Sequence, residues 1–197
     1  LYSMMNYADM ALGTWYPKGG MNRIVEGMVR VVKSLGVTIR CNEEVVACRS
    51  EKGRITAVQT TQGMYSADVV VAAADYHHVE QRLLSAQDRQ YTNEYWESRT
   101  MAPSSLIYYV GLNTKLDNVL HHNLFFDRSF DNHAIEIYEQ PTYPSDPLFY
   151  MCVPSKTDDT VAPEGCENIF ILIPTAPGIE DTPEIRDRYF NMVMDRI

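Results

Sequence analysis

The chain has 197 residues, of which 45% are hydrophobic and 22% are charged, a composition typical of a globular protein with one or two domains. Its formal net charge of −9 at pH 7 argues against a nucleic-acid partner, because such binding depends on neutralising phosphates with Lys and Arg. No apolar run approaches the roughly 20 residues that a membrane-spanning helix needs.

The first predicted element is a loop with two glycines that leads into an amphipathic helix. Residues 13–21 read Gly-Thr-Trp-Tyr-Pro-Lys-Gly-Gly-Met, and apolar residues then recur at helical spacing up to Leu35. This spacing predicts a helix with one buried face that ends at Gly36. Gly19 and Gly20 permit a tight turn and expose the first N–H groups of the helix, which suits an electron-poor ring or an anion. The alternative is a loop-to-helix junction with no ligand.

The next segments predict β-structure. Residues 37–40 form a short predicted strand, and residues 45–49 and 55–60 read as the two strands of a hairpin. A further strand is expected over residues 65–74, and its second half is an unbroken apolar run. Such a run is typical of a parallel sheet whose strands are buried on both faces.

The second half of the chain predicts helices and an apolar sheet. Helices are expected at residues 76–84 and 131–140, and a core-facing stripe from Ile185 to Val193 predicts a last helical segment. Apolar strands are expected at residues 104–112, 123–126, 148–153 and 168–174. Four apolar strands with few helices indicate an antiparallel sheet with helices on one side, which is an α+β arrangement.

Two blocks of sequence carry a family resemblance. The first block reads Tyr-Pro-Lys-Gly-Gly-Met at residues 16–21 and continues at residues 44–45, 53–58, 63, 67–70 and 74–75. The second and more discriminating block covers residues 153–158, 162–165 and 170–174. The chain thereby resembles the carotenoid-desaturase branch of the flavin-dependent amine oxidase superfamily, the phytoene dehydrogenases and their relatives.

The resemblance implies a fold, a cofactor and an activity. Residues 1–75 would form part of an FAD-binding domain of the α/β type, and residues 76–197 part of a substrate-binding domain with a mixed or antiparallel sheet. The implied reaction is hydride transfer to FAD from a long apolar substrate of the carotenoid or isoprenoid type. Family members also carry an early GxGxxG motif and a late glycine-rich segment, and this sequence contains neither. We therefore expect an internal part of a longer flavoprotein, which by itself neither retains FAD tightly nor turns over substrate.

The resemblance also implies positions around the cofactor. Val45 would bind the flavin adenine through its backbone N–H and C=O groups. Gly19, Gly20 and Met21 would lie near the isoalloxazine ring or the substrate entrance, and Asp75 would support the edge of the nucleotide-binding domain. No catalytic residue is predicted.

A long apolar substrate offers almost no groups for hydrogen bonds, so it must be held by buried area. The chain supplies 13 tyrosines and 10 methionines, whose large side chains suit such contacts. Tyr16 and Met21 are expected near the substrate. Five further aromatic residues are predicted to line a tunnel: Tyr108, Tyr109, Phe125, Phe126 and Tyr150. Ordinary core packing is the alternative for each of them.

The polar residues give weaker signals. The histidine pairs at residues 77–78 and 121–122 lack the i, i+4 spacing of a helical metal site, and the second pair is interpreted as a loop. The four cysteines have no metal-site spacing and are interpreted as reduced and structural, so no metal site is predicted. Asp158 and Asp159 are interpreted as a solvated turn. Lys18 is placed to stabilise a reduced flavin anion, with a solvated lysine as the alternative.

Two functions from different classes follow. The first is an FAD-dependent oxidoreductase in the cytoplasm, in peripheral contact with membranes, acting on an apolar small molecule and with no nucleic-acid partner. The second is a non-catalytic module that binds an apolar ligand or a protein partner on the same scaffold. Bound flavin would distinguish the enzyme from the binding module.

Overall fold

The computed structural model describes residue 4 and residues 7–197, and the chain divides into two units. One unit consists of the described residues up to Val32 together with Met101–Ile197, and the other consists of Lys33–Thr100. Asp75, the predicted boundary between a cofactor domain and a substrate domain, lies within the second unit, and that boundary stays a prediction. Within the described part of the chain, no helix has both the length and the apolar character needed to cross a membrane.

The predicted amphipathic helix is present as α1, Asn22–Ser34, and it follows a π-helical turn at Ala8–Leu12. Gly36 has φ 79° just beyond the helix, a left-handed conformation that favours glycine at a helix end. The prediction of a buried face is wrong, because no residue of α1 is buried and Met28, in the middle of the apolar stripe, is 65% exposed. The described residues leave this stripe uncovered.

The second unit contains an antiparallel sheet of three strands. They are β1, Val45–Glu51, β2, Arg54–Thr60, and β3, Met64–Ser66, in the spatial order β1-β2-β3. The predicted hairpin is confirmed as β1 and β2. Its turn places Lys52 at φ 52° and Gly53 at φ 75°. Two successive residues with positive φ match the right-handed twist of the strands that such a turn joins.

One predicted strand of this unit is missing and another is shorter than expected. Residues 37–40 form no strand, and β3 stops at Ser66 instead of continuing to residue 74. Val71, within the apolar run, is 86% exposed rather than buried on both faces. Valine favours strands, but a strand also needs a hydrogen-bonding neighbour. Among the described residues, no strand runs beside either segment.

Short helical segments complete the second unit. They are α2, Tyr76–His78, a π-helical turn at Val79–Leu83, a 3₁₀ turn at Ala86–Asp88, and α3, Asn93–Glu97. The first two confirm the helical segment predicted for residues 76–84. Asp75 caps α2, because its carboxylate accepts a hydrogen bond from the His78 N–H at 2.7 Å.

Glu80 is a buried charged residue of these helical segments. Its carboxylate accepts hydrogen bonds from the backbone N–H groups of Gln90 at 2.9 Å and Tyr91 at 3.3 Å. The Trp96 indole N–H donates a third at 3.3 Å. A buried carboxylate needs such donors, because they replace the water it has lost. Glu80 therefore ties the π-helical turn to the segment that leads into α3.

The first unit contains a four-stranded antiparallel sheet. Its strands are β4, Ser104–Leu112, β5, His122–Phe125, β6, Phe149–Cys152, and β7, Glu167–Thr175. Two helices accompany them, α4, Phe130–Tyr138, and α5, Pro183–Met194. The spatial order is β4-β7-β6-β5, and every neighbouring pair is antiparallel. The predicted α+β class is confirmed.

One face of this sheet carries the core. Every second residue of β7 is buried, as a strand with one covered face requires. Ile171, at the centre of β7, is paired with Tyr108 on β4 and with Met151 on β6. Tyr189 and Val193 of α5 belong to the same core, which confirms the predicted stripe. The core cluster consists of Phe149, Met151, Val153, Ile169, Ile171, Ile173, Tyr189 and Val193.

The start of β7 holds a buried ion pair. Glu167 is 1% exposed, and its carboxylate lies 2.7 Å from Lys156 Nζ and 3.6 Å from Lys115 Nζ. The Ser155 hydroxyl donates a hydrogen bond to the same carboxylate. Burial raises the pKa of Glu167, but the hydrogen bonds from Lys156 and Ser155 and the charges of the two lysines bring it below its ordinary value. The charged carboxylate therefore joins the 3₁₀ turn Pro154–Lys156 to β7.

Candidate functional site

Residues 16–20, which we call the glycine loop, make the tight turn predicted before α1. Gly19 and Gly20 have φ of 91° and 94°, and the Gly20 N–H donates to the Pro17 carbonyl oxygen at 3.1 Å. Residues with side chains rarely adopt such backbone angles, so both positions favour glycine. A β-carbon at Gly20 would lie 3.7 Å from the Tyr16 hydroxyl, so the turn is closely packed on that side.

Asp158 anchors the glycine loop. Its carboxylate accepts hydrogen bonds from the Gly19 N–H at 2.5 Å, the Thr160 N–H at 3.0 Å and the Thr160 hydroxyl at 2.6 Å. Asp158 is buried, so the interpretation of a solvated turn is wrong for this residue. The N–H and O–H groups of Gly19 and Thr160 replace the water that its carboxylate has lost. The hydrogen bonds from Thr160 and Gly19 hold the pKa of Asp158 below its ordinary value. Asp159 and Lys18 are both exposed, and Lys18 Nζ lies 3.7 Å from the Asp159 carboxylate.

The contact between Gly19 and Asp158 joins residues 16–21, the start of the first block that carries the family resemblance, to the second block. The two residues are 139 positions apart in the chain. Both lie in the first unit. Within that unit, these two stretches are therefore neighbours in space.

We expect Asp158→Ala to release the glycine loop. Without the carboxylate, the Gly19 N–H loses its acceptor, and its amide hydrogen should exchange with solvent about tenfold faster or more. Hydrogen exchange followed by NMR measures this rate. Asp159→Ala is the matched control, because its exposed carboxylate contacts exposed Lys18, and it should leave the Gly19 rate unchanged. Equal rates in both variants would contradict the anchoring role.

Acid should release the loop as well. A carboxyl whose folded pKa is depressed stabilises the fold above its unfolded pKa, for Asp158 ordinarily 3.8, and loses that contribution as the pH falls through the folded value. Protection of the Gly19 amide should therefore persist at about pH 5 and fall only in stronger acid. The same exchange measurement over a pH series checks this sign.

His121 lies against the glycine loop. The rings of Tyr16 and His121 meet edge to face with their centroids 4.7 Å apart. His121 Nδ1 lies 2.6 Å from the Thr157 hydroxyl. Burial and the neighbouring His122 lower the pKa of His121, which favours the neutral imidazole. Tyr16, a predicted substrate residue, is therefore packed beside an uncharged ring.

His122 and Cys152 face each other across β5 and β6. His122 Nδ1 lies 2.6 Å from the Tyr150 hydroxyl. Burial raises the pKa of Tyr150 and of Cys152, so both groups are protonated at neutral pH. The interpretation of the second histidine pair as a loop is wrong for His122, which begins β5. Spacing in the sequence does not reveal this pairing of His122 with Cys152, because the pairing depends on the register between β5 and β6.

The face of the four-stranded sheet opposite the core cluster, which we call the open face, carries aromatic residues. Tyr109 is 81% exposed, and its ring centroid lies 5.5 Å from that of Phe170. The Phe170 ring in turn lies 6.2 Å from Tyr150. A groove of about 350 Å³ runs beside β4 and β7, lined in part by Tyr109, Pro154 and Phe170. The open face therefore offers aromatic surface to a ligand.

Two predicted tunnel residues lie on the covered face instead. Tyr108 and Phe125 pack against the core cluster. The Tyr108 hydroxyl donates to the Arg186 carbonyl oxygen at 2.7 Å, and Phe125 stacks on Phe149 with the ring centroids 4.2 Å apart. Neighbouring residues of a strand point to opposite faces, so Tyr108 and Tyr109 cannot line the same surface.

The remaining predicted site residues are dispersed. Met21 is exposed just before α1, and Phe126 is exposed at a separate cavity of about 140 Å³ beside α4. Val45 and Asp75 belong to the second unit, where Val45 begins β1 opposite Thr60 and Asp75 caps α2. The binding roles of these residues stay predictions.

Comparison with known proteins identifies a matching family and several similar proteins. A family model described as flavin containing amine oxidoreductase matches residues 1–180. The chain is 42% identical over 195 residues to a carotenoid 3,4-desaturase of Haloarcula japonica, covering 98% of this chain and 39% of that protein. It is 31% identical over 178 residues to a 1-hydroxycarotenoid 3,4-desaturase of Flavobacterium sp., covering 90% of this chain and 36% of that protein. It is also 31% identical over 186 residues to a phytoene desaturase of Cercospora nicotianae, covering 91% of this chain and 29% of that protein. The chain thus spans less than half the length of these relatives.

Proposed function

Because the chain belongs to the family of flavin containing amine oxidoreductases, we propose that it forms part of an FAD-dependent carotenoid desaturase. The observation that carries this proposal is the hydrogen bond between Gly19 and Asp158, which brings the start of the first block to the second block. The similarity to three desaturases of carotenoids or phytoene supports it further.

We propose that the open face forms one wall of the substrate site. Tyr109 lies beside Phe170, and Phe170 lies diagonally across from Tyr150 on the next strand, while the groove beside Tyr109 adds concave surface. A polyene offers almost nothing to hydrogen-bond, so its binding rests on roughly 25 cal/mol for each Å² removed from water. Aromatic rings supply large apolar areas with few rotatable bonds.

We propose that the glycine loop approaches the flavin ring. Gly19 and Gly20 turn the backbone sharply without side chains of their own, and Asp158 fixes the position of Gly19. In the same proposal the Val45 backbone contacts the adenine, and Asp75 supports the edge of the cofactor domain. Bound FAD would supply the acceptor for the hydride that desaturation removes from the substrate. The side chains of this chain orient the substrate and exclude water.

We propose a cytoplasmic protein that contacts membranes peripherally. Carotenoid-type molecules partition into lipid rather than water, so an enzyme that acts on them gains from meeting a membrane surface. Co-sedimentation of the full-length protein with phospholipid vesicles tests this element of the proposal. Protein that remains entirely in the supernatant at all lipid concentrations would contradict it.

The test of the main function uses the full-length protein that contains this chain. We expect it to purify with an absorbance band at about 450 nm, where the oxidised flavin ring absorbs. That band should bleach when a carotenoid precursor is added without oxygen, while the product spectrum shifts to longer wavelength. Protein that remains colourless after added FAD, yet binds the carotenoid, would contradict the enzyme and favour a non-catalytic binding module.

A variant of the open face tests the substrate wall separately. Tyr109→Ser removes on the order of 50 Å² of apolar contact, so we expect kcat/KM to fall about tenfold, with the flavin spectrum unchanged. Tyr138→Ser is the matched control, because Tyr138 is an exposed tyrosine on α4 and takes no part in the ring contacts of Tyr109, Phe170 and Tyr150. Equal losses in both variants would remove the support for this surface.

A further inference from the structure

Three side chains that can bind a metal ion converge beside the glycine loop. One ring nitrogen of His121, one of His122 and the Cys152 sulfur all lie within 4.8 Å of one another. Imidazole nitrogens and a thiolate sulfur are the ligands that Zn²⁺ binds in proteins. We propose that His121, His122 and Cys152 bind one Zn²⁺ ion, with the fourth tetrahedral position open to water.

His121 gives the independent support for this site. Its Nδ1 is engaged with the Thr157 hydroxyl at 2.6 Å, whereas its Nε2 is buried and has no hydrogen-bond partner within the described part of the chain. Buried polar atoms nearly always have a partner, so an unmatched one indicates a missing water or ion. With the Nδ1 proton donated to the hydroxyl, Nε2 carries the lone pair that a metal ion requires.

Tyr150 orients His122. Its hydroxyl lies 2.6 Å from His122 Nδ1, which leaves His122 Nε2 as the free nitrogen, and Tyr150 lies two residues before Cys152 on β6. Ligands in metal sites are typically held by such outer hydrogen bonds. On binding, the Cys152 thiol loses its proton to solvent and the sulfur forms the bond to Zn²⁺.

The site needs only a small adjustment to close around the ion. Tetrahedral Zn²⁺ with bonds of about 2.0–2.3 Å places its ligand atoms about 3.3–3.6 Å apart. Atoms now within 4.8 Å of one another must therefore approach by at most about 1.2–1.5 Å. His122 is exposed, so its side chain has room to make this small shift. The bound ion would join β5 to β6 next to Tyr16.

The test is a titration of the purified protein with Zn²⁺ against a competing chelator, and with Co²⁺ as the spectroscopic probe. We expect one equivalent of metal per chain and a Co²⁺–thiolate charge-transfer band. Cys152→Ser and His122→Gln should each weaken binding by roughly 10–100-fold. Cys166→Ser is the matched control, because Cys166 is also a free, half-buried cysteine but lies outside the cluster, and it should bind as the unmodified protein does.

Because His122 is exposed, the His122→Gln variant should keep the fold. Urea unfolding of the variant verifies this. Unchanged affinity in this variant, or metal binding without a Co²⁺–thiolate band, would overturn the site. Neither readout depends on flavin, so this result is independent of the proposed desaturase activity.

Discussion

Replacing Lys156 with methionine should lower the free energy of unfolding by about 3–5 kcal/mol, because it leaves the buried Glu167 carboxylate without its nearest cation. Methionine keeps most of the apolar stem, so the change removes mainly the charge and its hydrogen bonds. Equilibrium urea unfolding at neutral pH measures the loss. The Lys156 ammonium also donates to the Leu116 carbonyl oxygen, a bond that is lost with it.

Lys115→Met is the matched control for this experiment. Lys115 Nζ lies 3.6 Å from the same carboxylate, but its side chain is 50% exposed. A solvent-screened pair of this kind contributes about 0–1 kcal/mol, so the control should lose little stability. Equal losses in the two variants would contradict the dominant role of Lys156.

The loss in Lys156→Met should also depend on pH. Because the folded pKa of Glu167 is depressed, its ion pair stabilises the fold above the ordinary value of 4.5, and this contribution disappears as the pH falls through the folded value. A protonated carboxyl no longer needs a cation. The difference between the variant and the unmodified protein should therefore shrink in acid.

Ile171→Ala should lower the free energy of unfolding by about 2–5 kcal/mol, because it opens a cavity in the middle of the core cluster. Ile171 is 0% exposed and has a paired strand on each side, so its neighbours have little freedom to fill the space. Thermal or urea unfolding followed by circular dichroism measures the loss.

Ile107→Ala is the matched control for the core. Ile107 lies on the neighbouring strand β4 but points to the open face, where it is 44% exposed. Its truncation removes less buried surface and leaves no enclosed cavity, so the loss should stay below about 1.5 kcal/mol. Similar losses at both positions would show that the open face is packed as tightly as the core.

Elements defined by local pattern could be predicted from the sequence. The strand over residues 104–112 has the predicted bounds, because alternation of side chains along a strand is a property of the strand itself. The same holds for α1, whose period and terminal glycine are local signals. The family resemblance was equally accessible, because its motifs are short and contiguous.

Features that depend on distant neighbours could not be predicted. The exposure of Met28 and Val71 depends on what packs against them, which hydrophobic period does not specify. The pairing of His122 with Cys152 depends on the register between two strands. The burial of Asp158 depends on Gly19, far away in the chain. Local composition does not identify the distant partners on which these features depend.

The hydrogen bond between Gly19 and Asp158 also sets an order of events during biosynthesis. At roughly 5–20 residues per second, a ribosome needs about 7–28 s to extend the nascent chain across the 139 positions between them. Throughout that interval the turn before α1 has been synthesised, but Asp158, which accepts its hydrogen bond, has not. The loop therefore reaches its anchored form only after the segment that contains Asp158 has been synthesised.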